Sequence, residues 1–261
     1  MQTHGTGRPI VMLPGRPSDH HIMERFMEPL FTQRDGWLRI YPDLPGTGLT
    51  PSADRLATHD SMLDAMLEFI DKVIPDQRFV LAGYSYGGYL ARGVASRRTE
   101  LIDGLMLCAP QVKADPSQAH LPPRTTLVEN PQLLARLEPD EAQLVESLVV
   151  VQTPKVVEAA REVLVEVQRA DHSHQARLEA AGPSSFEVAP PVPFGGPTLI
   201  ITARQDQVVG YRAAWDLLEN YSRATFSVLD RAGHFINVEQ DGLCHALMRE
   251  WLDRIEEYRS V

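Results

Sequence analysis

The chain has 261 residues, a formal net charge of −10 and two cysteines. This length suits one large domain with a substantial core. The acidic balance argues against a nucleic-acid interface and against binding to anionic membranes. No apolar run is long enough to cross a bilayer and no secretory signal is evident, so we expect a cytoplasmic protein. The two cysteines lie in separate apolar runs and predict neither a disulfide framework nor a metal site.

Short apolar runs and amphipathic segments alternate along most of the chain. The apolar runs suit strands that are covered on both faces, as in a parallel sheet. Alternating strands and helices predict a doubly wound, mostly parallel α/β sheet of about six strands. The predicted strands are 9–13, 37–41, 79–83, 104–109, 198–203 and 224–229, and the predicted helices are 21–33, 58–74, 87–98, 211–221 and 241–258.

The region 111–196 breaks this alternation. It contains helical runs and leaves through a proline- and glycine-rich linker, "APPVPFGGP". The run "ESLVVVQ" has the composition of a strand, but the helical spacing on both sides favours a helix. We therefore predict a helical insertion at 111–196, carried by a core domain of residues 1–110 and 197–261.

The stretch "GYSYGG" places one serine, Ser85, between Gly83 and Gly87 at the junction of a strand and a helix. This is the setting in which a nucleophile elbow presents its serine. A serine nucleophile needs a histidine base, which in turn needs a carboxylate to orient it, and on this fold the acid precedes the histidine. Asp206 and His234 follow two later predicted strands in that order, so the sequence predicts a Ser85–Asp206–His234 triad.

The acid could also follow the fourth predicted strand. The run "CAPQV" offers no carboxylate before Asp115, which favours Asp206. The run "DHSH" at 171–174 could suggest metal ligands, but adjacent histidines in a polar stretch are more often solvated. We predict no metal site.

Several segments together resemble the α/β-hydrolase superfamily: "LPG", "DLPGTGLT", "GYSYGG", "ARQDQVVG" and "RAGHFINVEQ". The resemblance covers 9–110 and 197–258. It implies that the insertion is a helical cap over the active site. Members often carry two additional N-terminal strands; the eight residues before Pro9 leave no room for both, so the resemblance implies a shortened sheet of six strands. Dehalogenases and epoxide hydrolases of this fold carry an aspartate where this chain has Ser85.

The resemblance also implies an oxyanion hole. One donor is the backbone N–H of Tyr86, directly after the nucleophile, and the other comes from the loop "LPGRPSDHH", where Arg16 matches best. Members often have His-Gly in this loop, where this chain has Pro14-Gly15, and the departure leaves the second donor open. Further candidates for substrate contact, for some of which a surface or core role fits equally well, are Gly15, His20, Tyr84, Tyr89 and Phe235.

We therefore expect a serine hydrolase that cleaves a small to medium carboxylic ester, lactone or related acyl substrate through an acyl-enzyme. No metal or organic cofactor is expected, and the expected partner is a small-molecule acyl substrate, with a homodimer possible. A carbon–carbon bond hydrolase, an acyltransferase and a haloperoxidase-like enzyme share the same triad and stay open. A ligand receptor with little turnover is the alternative from another class.

Overall fold

A computed structural model describes residues 1–113, 120–182, 184–185 and 188–259 of the protein. Asp115, the rival acid, lies outside these ranges. The described chain builds one seven-stranded sheet in the order β1-β3-β2-β4-β5-β6-β7, and all neighbouring pairs except β1–β3 are parallel. The strands are β1 (Gln2–His4), β2 (Arg8–Leu13), β3 (Trp37–Tyr41), β4 (Phe79–Tyr84), β5 (Ile102–Cys108), β6 (Thr198–Ala203) and β7 (Ala224–Leu229).

The predicted mostly parallel α/β sheet is confirmed, and it has one strand more than the predicted six. The additional strand, β1, pairs antiparallel with β3, so that Gln2 lies opposite Tyr41 and His4 opposite Arg39. It has only three residues, all polar and largely exposed, so no apolar pattern in the sequence predicts it. The six strands predicted from apolar runs are all present.

Helices pack on both faces of the sheet. The described α-helices are α1 (His21–Met27), α2 (His59–Val73), α3 (Tyr86–Arg97), α4 (Pro131–Leu134), α5 (Pro139–Leu148), α6 (Pro154–Arg169), α7 (His172–Ala180), α8 (Arg212–Trp215), α9 (Ile236–Glu239) and α10 (Asp241–Arg259). None of them combines the length and the apolar character that a membrane crossing requires.

Two predicted helices are shorter than expected. The segment predicted as a helix over 21–33 is α1 followed by one 3₁₀ turn, Glu28–Leu30. Pro29 has no N–H to continue the α-helical hydrogen bonding, so the α-helix ends at Met27. The segment predicted over 211–221 is likewise α8 followed by a 3₁₀ turn, Asp216–Asn220.

The sheet separates two apolar clusters. Along β2, Ile10 and Met12 belong to the cluster that includes Trp251 of α10, whereas Val11 and Leu13 face the cluster built with α2 and α3. Successive side chains of a strand point to opposite faces, so each central strand is buried on both sides. The carboxyl ends of these strands are thereby fixed in place.

The described part of the insertion between β5 and β6 contains α4 to α7. Within "ESLVVVQ", helix α5 ends at Leu148 and the chain then runs extended, with Val151 in a parallel bridge to Val128. The helix predicted for this run is therefore right only for its first part. In "DHSH", His174 is fully buried rather than solvated, close to Gly46 of the loop after β3. Burial lowers the pKa of His174.

Candidate active site

Ser85 sits on a tight turn between β4 and α3. Its backbone has φ 54° and ψ −119°, a conformation that L-residues rarely adopt. A Cβ on Gly83 would lie 2.4 Å from the carbonyl oxygen of Gly87, and a Cβ on Gly87 would lie 2.2 Å from that of Leu13. Only glycine allows these backbones to approach so closely. The two glycines of "GYSYGG" thus let the helix pack against the strands beneath the serine.

The structure brings Ser85, Asp206 and His234 together. The Nε2 atom of His234 lies 2.9 Å from the Ser85 Oγ, and its Nδ1 lies 2.9 Å from the Asp206 Oδ2. Ser85 follows β4, Asp206 follows β6 and His234 follows β7, so all three lie at the carboxyl edge of the sheet. The side chains are buried, Asp206 completely.

The second carboxylate oxygen of Asp206 is also engaged. Its Oδ1 accepts backbone hydrogen bonds from Val208 at 2.8 Å and Val209 at 3.0 Å. With Oδ1 held by two donors, only Oδ2 is available to His234. The carboxylate therefore favours the tautomer that carries its proton on Nδ1, leaving Nε2 as an acceptor toward the Ser85 hydroxyl.

The loop that carries His234 is fixed at its backbone by Tyr84. The Tyr84 O–H donates to the carbonyl oxygen of His234 at 2.5 Å, and the two rings lie 5.3 Å apart. Burial raises the pKa of Tyr84 far above its ordinary value, so the hydroxyl keeps its proton and remains a donor. Tyr84, predicted to contact substrate, instead packs beneath the histidine.

Glu239 fixes the same loop from the other side, and sequence reasoning missed it. Its Oε2 accepts from the N–H of Gly233 at 2.7 Å, and its Oε1 accepts from Val150 and Val151, each at 2.7 Å. Burial raises the pKa of Glu239, while the three backbone donors favour its charged form. The signal available in "GHFINVE" was a carboxylate five residues after His234.

The residues predicted to supply the oxyanion donors lie beside Ser85. The N–H groups of Gly88 and Tyr89 donate to the Ser85 carbonyl, whereas the N–H of Tyr86 donates to no acceptor among the described residues. A Cβ on Gly15 would lie 2.9 Å from the Cβ of Ser85, so the loop after β2 approaches the serine closely at Gly15-Arg16. Tyr86 and Arg16 stay the predicted donors.

A cavity of about 210 Å³ opens beside Ser85. Its lining includes apolar side chains and three charged residues, Arg16, Lys113 and Glu179. The volume is small for a ligand pocket, since such pockets usually measure about 300–1,000 Å³. A larger cleft, of about 450 Å³, lies around Pro122, Arg204 and Arg212 and contains no triad residue, so the smaller cavity is the candidate substrate site.

The Arg16 side chain lies against both the core and the insertion. Its Nη1 donates to the Gln175 Oε1 on α7 at 3.1 Å, and its guanidinium carbon lies 4.8 Å from the centre of the Tyr86 ring. Burial lowers the pKa of Arg16. The Tyr86 hydroxyl in turn is 2.9 Å from the Nδ1 of His59. The ring of Tyr86 thus supports Arg16, in addition to the role predicted for its amide.

None of the five predicted candidates for substrate contact belongs to the lining of this cavity, and three of them are engaged elsewhere. The Nδ1 of His20 is 2.6 Å from the Asp43 carboxylate, Tyr89 hydrogen-bonds to the Ser184 hydroxyl, and Phe235 is buried in the apolar core. Sequence reasoning missed the cavity residues Gln111, Lys113 and Glu179. The first two follow the end of β5 at the same sheet edge, which was an available signal, whereas nothing in the helical pattern of α7 distinguishes Glu179.

Asp19, His20 and His21 have ligand atoms within 4.8 Å of one another. However, the His21 Nδ1 is 2.7 Å from Asp19, and the His20 Nδ1 is hydrogen-bonded to Asp43. The two imidazole rings stack at 4.0 Å. The geometry therefore fits a histidine–carboxylate hydrogen-bond cluster, and we derive no chemistry through a metal.

The alpha/beta hydrolase fold family matches residues 8–241 of the chain. An alpha/beta superfamily hydrolase from Oenococcus oeni PSU-1 is 27% identical and superposes with a TM-score of 0.88, over 98% of this chain and 95% of that one. A thermophilic esterase from Thermogutta terrifontis is 22% identical, with a TM-score of 0.72 over 97% of this chain and 92% of that one, which shows a shared fold.

Two curated proteins match over shorter segments. The pimeloyl-(acyl-carrier protein) methyl ester esterase of Legionella pneumophila (strain Paris) is 34% identical over 95 residues, 36% of this chain and 35% of that protein. Polyketide synthase GfsE of Streptomyces halstedii is 38% identical over 84 residues, 32% of this chain and 2% of that protein. The chain thus spans about a third or less of the curated relatives that it matches.

Proposed function

The chain belongs to the alpha/beta hydrolase fold family, and from this premise we propose that it is a serine hydrolase of small carboxylic esters. The observation that carries the proposal is the continuous hydrogen-bonded line from Asp206 through His234 to Ser85, with 2.9 Å at each step. The adjoining cavity of about 210 Å³ favours short substrates over long acyl chains. The esterases from Legionella pneumophila and Thermogutta terrifontis to which the chain is similar support the same class of reaction.

In the proposed mechanism, the Ser85 Oγ attacks the ester carbonyl carbon while its proton moves to the Nε2 of His234. Asp206 stabilises the imidazolium that forms and keeps it oriented. The oxygen of the tetrahedral intermediate accepts hydrogen bonds from the N–H groups of Tyr86 and Arg16. Collapse of the intermediate breaks the bond to the alcohol, which takes the proton from His234. Water activated by His234 then releases the acid from Ser85.

A fluorophosphonate probe tests the nucleophile, because it reacts covalently with activated serines. We expect wild-type protein to be labelled and Ser85→Ala to lose the label. Ser147→Ala, an exposed serine on α5, is the matched control and should label as wild type does. Unlabelled wild-type protein, or undiminished labelling of Ser85→Ala, would contradict the proposal.

The small cavity makes a second test possible. In a series of p-nitrophenyl esters from acetate to decanoate, we expect kcat/KM to peak at a short acyl chain and to fall for longer ones. A small lactone should be tested beside the esters, since the same triad opens a cyclic ester. A maximum at the long-chain end would contradict the substrate size proposed.

A further inference from the structure

The charged lining of the cavity beside Ser85 is not required by ester hydrolysis. Among the described residues of its lining, Arg16 and Lys113 contribute two positive charges and Glu179 one negative charge. The local excess of one positive charge stands out because the whole chain carries −10. This positive charge does not attract a neutral ester, whereas it does attract a substrate that carries one negative charge.

Arg16 is a partly buried cation that Glu179 attracts electrostatically without pairing with it directly. Among the described residues it forms no ion pair, and its polar contact is the neutral Gln175. Elsewhere in the described chain, Arg39 pairs with Glu28 at 3.0 Å and Arg8 with Asp103 at 3.1 Å. A guanidinium removed from water is normally compensated by an anion, because an unpaired buried charge is costly.

Two buried N–H donors at this position are also unsatisfied. The Nε of Arg16 and the Nε2 of Gln175 have no acceptor among the described residues. Gln175 is buried, with 7% of the residue exposed. Of the two residues only Arg16 lines the cavity, and its guanidinium can only donate, so a group that binds it there is an acceptor. A carboxylate carries two acceptor oxygens and suits the planar guanidinium in particular.

We propose that this cavity binds a carboxylate on the substrate, so that the preferred substrates are half-esters of short dicarboxylic acids. This inference rests on the proposed function and names the substrate class of the same site. A monoanion matches the net charge of the lining, whereas a phosphate dianion would add repulsion from Glu179. Arg16 then acts twice: its backbone N–H toward the oxyanion and its side chain toward the carboxylate.

The test compares monomethyl glutarate with dimethyl glutarate, which share a chain and a scissile bond and differ in one charge. Methyl ester cleavage is followed at constant pH by titrating the acid released. In wild type, we expect kcat/KM for the half-ester to exceed that for the diester by roughly 10- to 100-fold, the usual worth of a hydrogen bond to a charged group. The ratio should fall at least tenfold in Arg16→Met.

Matched variants keep the result interpretable. Arg16→Lys retains the charge and should retain part of the preference, and Lys113→Met should lower it by a smaller factor, since Lys113 is exposed. Arg249→Met, on the exposed side of α10, is the control and should leave the ratio unchanged. A wild-type ratio near or below one, or a ratio that Arg16→Met does not change, would overturn the inference while leaving the serine hydrolase standing.

Binding is measured separately from turnover. By titration calorimetry on Ser85→Ala, monomethyl glutarate should bind at least tenfold more tightly than dimethyl glutarate, and the difference should vanish when Arg16→Met is added. If wild type cleaves neither ester, this titration still decides about the carboxylate site. Equal binding of the two ligands would overturn it, and Arg16-dependent binding would support it.

Discussion

The Glu239 carboxylate lies 2.7 Å from the backbone nitrogen of Gly233, the residue that precedes His234. Its other oxygen holds the N–H groups of Val150 and Val151, which belong to the insertion between β5 and β6. A single buried side chain therefore joins the loop of the proposed catalytic base to the segment that follows α5. Neither segment could shift without breaking a charge-assisted hydrogen bond.

Glu239→Gln should loosen this connection. Its amide oxygen can still accept from the insertion, but its NH₂ group would then face the N–H of Gly233. We expect a loss of about 1–3 kcal/mol in the free energy of unfolding, the usual cost of an unsatisfied buried donor. We also expect a lower kcat with little change in KM, because His234 is held less firmly. Urea unfolding and ester kinetics measure the two effects.

Glu257→Gln is the control for that variant. Glu257 is exposed on α10, and its side chain makes no hydrogen bond to another described residue. It should change neither stability nor kcat appreciably. If Glu239→Gln kept the stability and the kcat of wild type, the hydrogen bonds of Glu239 would have no role in either.

Asp206→Asn should abolish most activity without a large change in structure. The N–H groups of Val208 and Val209 would donate to the amide oxygen of the new side chain. The NH₂ group of the asparagine would therefore face the His234 Nδ1. The imidazole would then carry its proton on Nε2 and could not accept the one from Ser85. We expect kcat to fall roughly 10³–10⁴-fold. Asp230→Asn, an exposed residue, should retain activity, and equal losses in both variants would contradict this explanation.

The backbone of Ser85 predicts an unusual order of stabilities. At φ 54°, a residue with a side chain is strained by about 1–2 kcal/mol relative to glycine. This strain outweighs the additional conformational entropy that glycine loses on folding, which costs about 0.5–1 kcal/mol. Ser85→Gly should therefore be more stable than Ser85→Ala by about 0.5–1 kcal/mol in urea unfolding. At Ser147, inside α5, the order should reverse, because alanine favours a helix. The same order at both sites would argue against strain at the elbow.

Glu166 on α6 gives the fold a pH dependence. Burial raises its pKa from the ordinary value of 4.5 to about 7, against the attraction of Arg25, to which it is hydrogen-bonded. The native protein therefore keeps a proton that the unfolded chain releases, so this group makes the fold less stable as pH rises from 4.5 to about 7. The loss is on the order of 3 kcal/mol, and Glu166→Gln should not show it.

This prediction is measured as the difference in unfolding free energy between wild type and Glu166→Gln at several pH values. The free energy of unfolding of Glu166→Gln should rise relative to that of wild type as the pH rises from 4.5 to about 7. Glu162 contacts the same Arg25 from a half-exposed position. For Glu162→Gln, the difference in unfolding free energy from wild type should show no such rise with pH. A difference that does not vary with pH would contradict the raised pKa.

Much of this architecture could be predicted because the central strands are buried on both faces and leave uninterrupted apolar runs. The order of Ser85, Asp206 and His234 along the chain also indicated which strand ends would meet. β1 could not be predicted, because its pairing depends on β3 and not on its own polar residues. His20 was expected near the substrate from its place in the loop after β2, yet the structure pairs it with Asp43.

The supporting residues were harder to predict than the triad. Tyr84 and Glu239 act through backbone groups of other segments, Tyr84 on the His234 carbonyl and Glu239 on the Gly233 amide. Contacts of a side chain with a distant backbone leave no complementary residue type in the sequence. The extended run after Leu148 was missed for a similar reason, since what holds it is the Glu239 carboxylate.

The hydrogen bonds from Val150 and Val151 to Glu239 affect how this enzyme could be re-engineered. Replacing the β5–β6 insertion by that of a relative would exchange the pocket walls, but it would also remove two amides that anchor the carboxylate next to His234. A transplanted insertion must supply equivalent donors at the end of its own first long helix. The insertion is in this sense an integral component of the proposed catalytic framework, and not an interchangeable accessory.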